Sequence, residues 1–285
     1  MKALEKLRLD YFPQPEVILL KHPVLLCHGF GAMGSFSSKG LLHDTCMMLR
    51  ERGVLAFAPN IAPYAKIETR ARDWVEAIDR IKEITGATRM HVVAHSMGGL
   101  DIRYAISSMD RYKDVISLTT VCTPHRGTSL STLTLNTPET IRGSLEGIAN
   151  WFGNNVYPKV PSNITGALEQ LGREYVTERF NPANPDHPDV LYKSVTAACG
   201  KGTDYDINRL LIPFNSYIYE REGINDGYIS EESAKWGEVI LHSNLSHPEQ
   251  IKLNLSSRKI PRWKGLWSDI IKAIKEDDER IIAEM

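Results

Sequence analysis

The chain has 285 residues, with 34 Lys plus Arg against 35 Asp plus Glu, a formal net charge of -1. This balance argues against a nucleic-acid binder, which needs a basic surface to neutralise phosphates, and no apolar run reaches the ~18 residues of a transmembrane helix. With 42% hydrophobic residues the chain can bury a core, which excludes a disordered protein. At about 150 residues per domain the length admits two domains, but α/β folds reach this size as one.

The opening stretch MKALEKLRLDYFPQPEVILL mixes charge, proline and apolar residues and lacks the apolar core of a secretory signal. The chain is accordingly expected to be either cytoplasmic or a mature secreted form. Val24 to Cys27 is then a continuous apolar run ending at His28-Gly29. Residues 38–52 have helical spacing, with Leu41, Leu42, Met48 and Leu49 on one side and Gly53 as the stop. Val54 to Ala58 is a second strand, closed by Pro59. A second helix over residues 68–85 has Trp74, Ala77, Ile78 and Ile81 on one face and Gly86 as its cap. Met90 to Ala94 is a third strand, a helix follows Ser96, and Val115 to Cys122 is a fourth strand.

Apolar strands separated by helices predict a mostly parallel sheet covered on both faces. Such a sheet binds its ligand beyond the carboxyl ends of its strands. Chemistry is therefore expected in the loops His28-Gly29-Phe30-Gly31, His95-Ser96-Met97-Gly98-Gly99 and Thr123-Pro124-His125-Arg126-Gly127.

The pattern changes after Gly127. Within residues 128–172 the only charged side chains are Glu139, Arg142, Glu146, Lys159 and Glu169. Thr137-Pro138-Glu139 is a helix start, followed by an apolar stripe of Ile141, Leu145, Ile148 and Phe152. Ile164, Leu168 and Leu171 form another. This stretch reads either as a lid-like apolar insert or as a helical hairpin packed on the core. Residues 181–188 are a proline-rich surface loop. Val190 to Ala198 and Glu238 to Leu241 are the remaining strands, and the chain closes on an amphipathic helix carrying Trp263, Trp267, Ile270, Ile271 and Ile274.

The most informative segment is MHVVAHSMGGL, residues 90–100. A strand runs into a small-x-Ser-x-Gly turn and then a helix, the arrangement that exposes a serine nucleophile above a sheet. Ala94 stands where glycine is usual, and Gly98 is the second small residue. Met97 N–H, at the helix start, would face a developing oxyanion. A second donor must come from the loop after the first strand, which makes Phe30 N–H the candidate. A serine nucleophile needs a base and an acid later in the chain. Asp226, in Glu222-Gly223-Ile224-Asn225-Asp226-Gly227, is the candidate acid, although Asn-Asp-Gly is also an ordinary turn. His247, on the loop after the last strand, is the preferred base, with His242 as the lesser option. His22, His43, His91, His95, His125 and His187 are read as structural or surface residues, with His95 and His125 supporting the site by hydrogen bonds. Cys27, Cys46, Cys122 and Cys199 have no CxxC spacing and are read as buried thiols rather than metal ligands.

VLLCHGF, VVAHSMGGL, VCTPHRGTS, GINDGYIS and NLSHPEQI, in this order over about residues 22–255, together resemble the bacterial triacylglycerol lipases of the α/β-hydrolase superfamily. The resemblance implies an α/β-hydrolase fold: one domain over residues 1–285, with a helical lid insert at about 128–180. It implies Ser96 as nucleophile, Asp226 as acid, His247 as base, and Phe30 and Met97 as oxyanion donors. No cofactor is implied for the chemistry. A structural Ca2+ ion is implied near the histidine, with Asp206 and Glu249 at the ligand positions, although His247-Pro248-Glu249 departs from the family's His-Leu-Asp. Lipid or ester substrates and transient contact with a lipid–water interface are the implied partners. The competing readings are a carboxylesterase for short soluble esters and a non-catalytic lipid-binding protein of the same fold.

Overall fold

The computed structural model describes residues 16–31, 40–135, 163–253 and 255–284. The strands are β1 (Val24–Cys27), β2 (Ala56–Phe57), β3 (Met90–His95), β4 (Val115–Val121), β5 (Leu191–Ala197) and β6 (Glu238–Ser243). They form one sheet in the order β2-β1-β3-β4-β5-β6. Every pairing is parallel. The helices used below are α1 (His43–Arg50), α2 (Ile67–Thr85), α3 (Gly98–Ser108), α4 (Ser129–Leu135), α5 (Ile164–Gln170), α6 (Ile212–Glu222), α7 (Glu231–Ala234), α8 (His247–Gln250) and α9 (Ile260–Glu284). No helix among the described residues is long and apolar enough to cross a membrane.

Strand side chains alternate between the two faces, and both faces are covered. Val24, Leu26, Val93, Val121 and Val195 point to a cluster closed by Leu49 of α1 and by Trp263, Trp267, Ile270, Ile271 and Ile274 of α9. Leu25, Cys27, Val92, Ala94 and Leu118 point the other way, against Trp74, Ile78 and Ile81 of α2 and Ile102 and Ile106 of α3. Two-sided burial is why the strands read as unbroken apolar runs. Gly86 ends α2 in the left-handed region at φ 71° and returns its N–H to Lys82, as the sequence predicts.

Two elements depart from expectation. The strand expected over Val54 to Ala58 shrinks to Ala56–Phe57 because Val54 N–H bonds Leu49 O at the end of α1. The whole of α6 lacks a sequence-based expectation. It is short of a clean apolar stripe, since Ile212 and Phe214 face solvent.

Strand order reverses between β1 and β3: β2 lies on one side of β1, and the chain then continues on the other. Ligands of open parallel sheets bind at such a switch, beyond the carboxyl ends of the strands. The loops after β1 and β3, which carry Phe30 and Ser96, meet there.

The apolar stripe of Ile141, Leu145, Ile148 and Phe152 lies outside the described residues, as does the Thr137-Pro138-Glu139 helix start. Around it, α4 and α5 pack together. Ala167 and Leu171 are buried with Met97, Leu100, Val176 and Phe180. This later part of the insert is therefore a helical layer packed on the core. The four cysteines are free and buried, and the Cys46 thiol donates to Ala56 O.

Candidate active site

Ser96 follows β3 directly and holds a left-handed backbone at φ 57°. Such a conformation costs a non-glycine residue about 1–3 kcal/mol and persists only where the surroundings impose it. Here they do. Ser96 N–H bonds Val121 O of β4 at 2.9 Å, and Ser96 O accepts from Thr123 Oγ1 at 2.7 Å. Gly98 must be glycine: a Cβ there would stand 2.8 Å from His28 O. The turn thus aims a half-buried serine at the His28-Gly29-Phe30 loop.

That loop is held by residues that sequence reasoning missed. Arg70 of α2 donates to His28 O at 2.7 Å, to Ala62 O at 2.9 Å and to Asp101 Oδ2 at 2.8 Å. Both members of the Arg70–Asp101 pair have fully buried side chains. Ile61 N–H donates to His28 Nε2 at 3.1 Å, so the ring proton lies on Nδ1 and faces Gly29 O at 3.0 Å. Burial, and then the Arg70 charge, push the His28 pKa down to about 3, which keeps the ring neutral. The Phe30 ring meets Tyr64 edge-on at 5.5 Å and packs with Met97. Neither Phe30 N–H nor Met97 N–H is bonded to backbone among the described residues. Replacing Arg70 by Met is expected to destabilise the fold by about 3–5 kcal/mol, because Asp101 is left buried and unpaired. The surviving folded fraction is expected to show lower kcat on p-nitrophenyl esters as the His28 carbonyl loses its anchor. Denaturant unfolding and steady-state kinetics check the two effects.

On the other side, His247 Nδ1 lies 2.7 Å from Asp226 Oδ2. Asp226 is fully buried and its carboxylate is saturated with donors. Oδ1 accepts from Tyr228 N at 3.0 Å and from Ile229 N at 2.8 Å. Oδ2 also accepts from Gln250 Nε2 at 3.0 Å. Burial raises the Asp226 pKa, but the His247 interactions and the two backbone N–H groups outweigh it, and the net pKa lies below the ordinary value. The main chain reinforces the pair, His247 N–H donating to Asp226 O at 2.9 Å.

Gln250 ties this pair to the serine turn. Its amide nitrogen must face the Asp226 carboxylate, which only accepts. Its oxygen then accepts from His95 Nε2 at 3.1 Å. The His95 ring lies 4.5 Å from that of His247. Burial, and then the His247 charge, lower the His95 pKa to about 3, so a protonated His247 has an uncharged neighbour. The Ser96 hydroxyl makes no hydrogen bond with a described residue. Serine–histidine bonds of this kind commonly tighten only around a substrate.

The lesser candidate, His242, lies in β6 with Thr196 Oγ1 at 3.0 Å and Glu231 at 3.7 Å, not Asp226. His125, expected to support the site, instead bonds Thr120 Oγ1 at 3.0 Å and stacks on Trp236 at 5.0 Å.

The calcium expectation needs correction. The Glu249 carboxylate binds the Lys259 ammonium at 2.8 and 2.9 Å and accepts Ser246 N–H at 3.0 Å. Asp206 turns only its main-chain carbonyl toward Lys259 Nζ, at 3.4 Å, and the residue itself is exposed. A lysine cation thus stands between the two residues expected to hold Ca2+. Calcium needs 6–8 oxygens, and this donor set does not fit it. Lys259→Met is expected to cost roughly 2–3 kcal/mol, less than a fully buried pair because Lys259 keeps some contact with solvent. Added CaCl2 is expected to leave the melting temperature of the native chain unchanged. Thermal melts check both.

The profile of the palmitoyl protein thioesterase family matches residues 23–167. Triacylglycerol lipase 2 of Saccharomyces cerevisiae is 30% identical over 198 residues, covering 67% of this chain and 55% of the yeast protein. The chain thus spans little more than half the length of that relative. Triacylglycerol lipase of Pseudomonas fragi is 24% identical over 247 residues, covering 77% of this chain and 84% of its own length. Among solved structures, the mature Bacillus licheniformis lipase BlEst2 superposes with a TM-score of 0.62 at 19% identity, covering 90% of this chain and 95% of its own. A metagenomic carboxyl esterase superposes with a TM-score of 0.68 at 19% identity, covering 92% of this chain and 79% of its own.

Proposed function

The chain belongs to the palmitoyl protein thioesterase family of α/β-hydrolases, and we propose that it is a serine hydrolase acting on carboxylic esters of medium- to long-chain acyl glycerols. The observation that carries this reading is the buried, donor-saturated Asp226 paired at 2.7 Å with His247, linked through Gln250 and His95 to a serine in a strained strand–helix turn. A merely structural turn has no need of that combination. The yeast and Pseudomonas fragi relatives, both named triacylglycerol lipases, support the substrate class.

In this mechanism Ser96 Oγ attacks the ester carbonyl while His247 Nε2 takes its proton. Asp226 accepts from His247 Nδ1–H and stabilises the imidazolium. Phe30 and Met97 N–H stabilise the oxyanion, each donor contributing about 3–4 kcal/mol in comparable sites. The C–O bond to the alcohol breaks, the alcohol leaves with the proton from His247, and water then releases the acid from the acyl-enzyme by the same steps.

A carboxylesterase for short soluble esters is the second reading, favoured by the likeness to the metagenomic carboxyl esterase. Chain-length profiling on p-nitrophenyl esters separates the two. Turnover rising from acetate toward octanoate and longer chains, with further gain at an emulsion surface, is the expected result. Strict preference for acetate in solution would contradict the lipase reading.

A further inference from the structure

At the amino-terminal edge of the sheet, away from Ser96, three metal-type ligands converge from distant parts of the chain. His22 lies just before β1, His91 is the second residue of β3, and Asp278 belongs to α9. Five residues of extended strand, about 16 Å, separate His91 from Ser96. Asp278 Oδ1 is 2.5 Å from His22 Nδ1 and 3.2 Å from His91 Nε2. The three ligand atoms lie within 4.8 Å of one another, the one such grouping among the described residues. The His91 and Asp278 side chains are 0% and 3% exposed, whereas His22 keeps 15%.

We propose that His22 Nδ1, His91 Nε2 and one Asp278 oxygen bind a divalent transition-metal ion of the zinc class, with water as the fourth ligand. Two imidazole nitrogens and a carboxylate oxygen suit zinc, cobalt or nickel rather than calcium or magnesium. Around a tetrahedral zinc, with ligands ~2.0–2.1 Å from the ion, neighbouring donor atoms stand about 3.4 Å apart. The two separations from Asp278 Oδ1, 2.5 and 3.2 Å, lie just below that value. The His22–Asp278 contact opens by about 1 Å, and the His91–Asp278 contact barely moves.

The surroundings orient the donors. His91 Nδ1 lies 2.8 Å from Ser117 Oγ, which fixes the ring and leaves Nε2 for the ion. Asp278 Oδ2 accepts Lys21 N–H at 2.6 Å, which leaves Oδ1 at the centre. Outer partners of this kind hold metal-ligating histidines in register. The partly exposed His22 provides the entry path. In the metal-free state the two imidazoles each present a proton to a single carboxylate oxygen, and the ion takes the place of those hydrogen bonds. Bound metal would fasten α9 to β1 and β3 without touching the hydrolase site.

ZnCl2 titrated by calorimetry into the metal-free full chain near neutral pH tests this. One ion per chain at low-micromolar affinity or tighter is expected, with a rise in melting temperature. His22→Ala is expected to remove this binding while folding, seen by circular dichroism, and p-nitrophenyl ester hydrolysis persist. Ser117→Ala is expected to weaken it by about 10-fold. No saturable binding, or undiminished binding by His22→Ala, overturns the proposal and leaves a hydrogen-bonded His–Asp–His clasp.

Discussion

Ser96→Ala is expected to lose about 10⁴-fold or more in kcat on p-nitrophenyl esters, with little change in KM. The hydroxyl is the attacking atom in the proposed reaction, so its loss removes the covalent route rather than weakening it. The variant is expected to fold. Alanine is smaller than serine, the Ser96 hydroxyl has no hydrogen bond with a described residue, and the main-chain bonds to Val121 and Thr123 remain. The left-handed backbone at this position strains alanine about as much as serine. Steady-state kinetics with a matched melting curve check the prediction. An active Ser96→Ala protein would remove the nucleophile from the account.

Asp226→Asn is expected to lower kcat by about 10³–10⁴-fold, again with little change in KM. The side chain keeps its shape, but an amide can present its NH2 to His247 and stabilise the wrong tautomer. The substitution also removes the charge that steadies the imidazolium. Gln250 makes the exchange worse, because its Nε2 donates to the same oxygen and would oppose a second donor. Stability is expected to change with a defined sign. The Asp226 pKa lies below its ordinary value in the folded chain, so its contribution is fully present above the unfolded-state value of about 3.9. It is lost as pH falls through the lower folded value. The native chain is therefore expected to be more stable than Asp226→Asn at neutral pH, with the gap closing only below about pH 4. Urea unfolding of both proteins across that range checks the sign.

In the candidate site, the sequence is readable wherever one short segment encodes one local geometry. The strand–turn–helix around Ser96 must expose a side chain at the turn, and small residues at 94 and 98 announce it. Asp226 sits in a turn whose own N–H groups, from Tyr228 and Ile229, fold back on its carboxylate. His247 opens a helix capped by Ser246 and Glu249. Groups that act across the fold left no such trace. Arg70 reaches His28, and Gln250 reaches both His95 and Asp226. Arg70 lies in no motif, and Gln250, although within NLSHPEQI, is not marked there for these partners, since both roles depend on how α2 and α8 dock against the strand ends.

Glu249 shows the same limit from the other side. Its position along the chain matches an implied calcium ligand, but its partner is Lys259. That cation becomes visible only once the start of α9 is seen to fold back on α8.

The fold divides on similar lines. Strands buried on both faces, such as β1, β3 and β4, were readable as apolar runs. The apolar run overextends β2 because Val54 N–H bonds Leu49 O at the end of α1 instead of the sheet. The helix α6 was invisible to periodicity because it turns apolar side chains both inward, at Ile218, and outward, at Ile212 and Phe214. Its Pro213 at the first turn and Asn208 before it were the available signals.

The central claim is that Ser96, activated by His247 and Asp226, carries the acyl group in a covalent intermediate. Reaction of the purified chain with a fluorophosphonate, followed by peptide mapping in a mass spectrometer, tests it most directly. One adduct per chain is expected, on the peptide containing Ser96, formed in parallel with loss of esterase activity and absent from Ser96→Ala. An unlabelled but active chain, or an adduct on another residue that abolishes activity while Ser96 stays free, would contradict it.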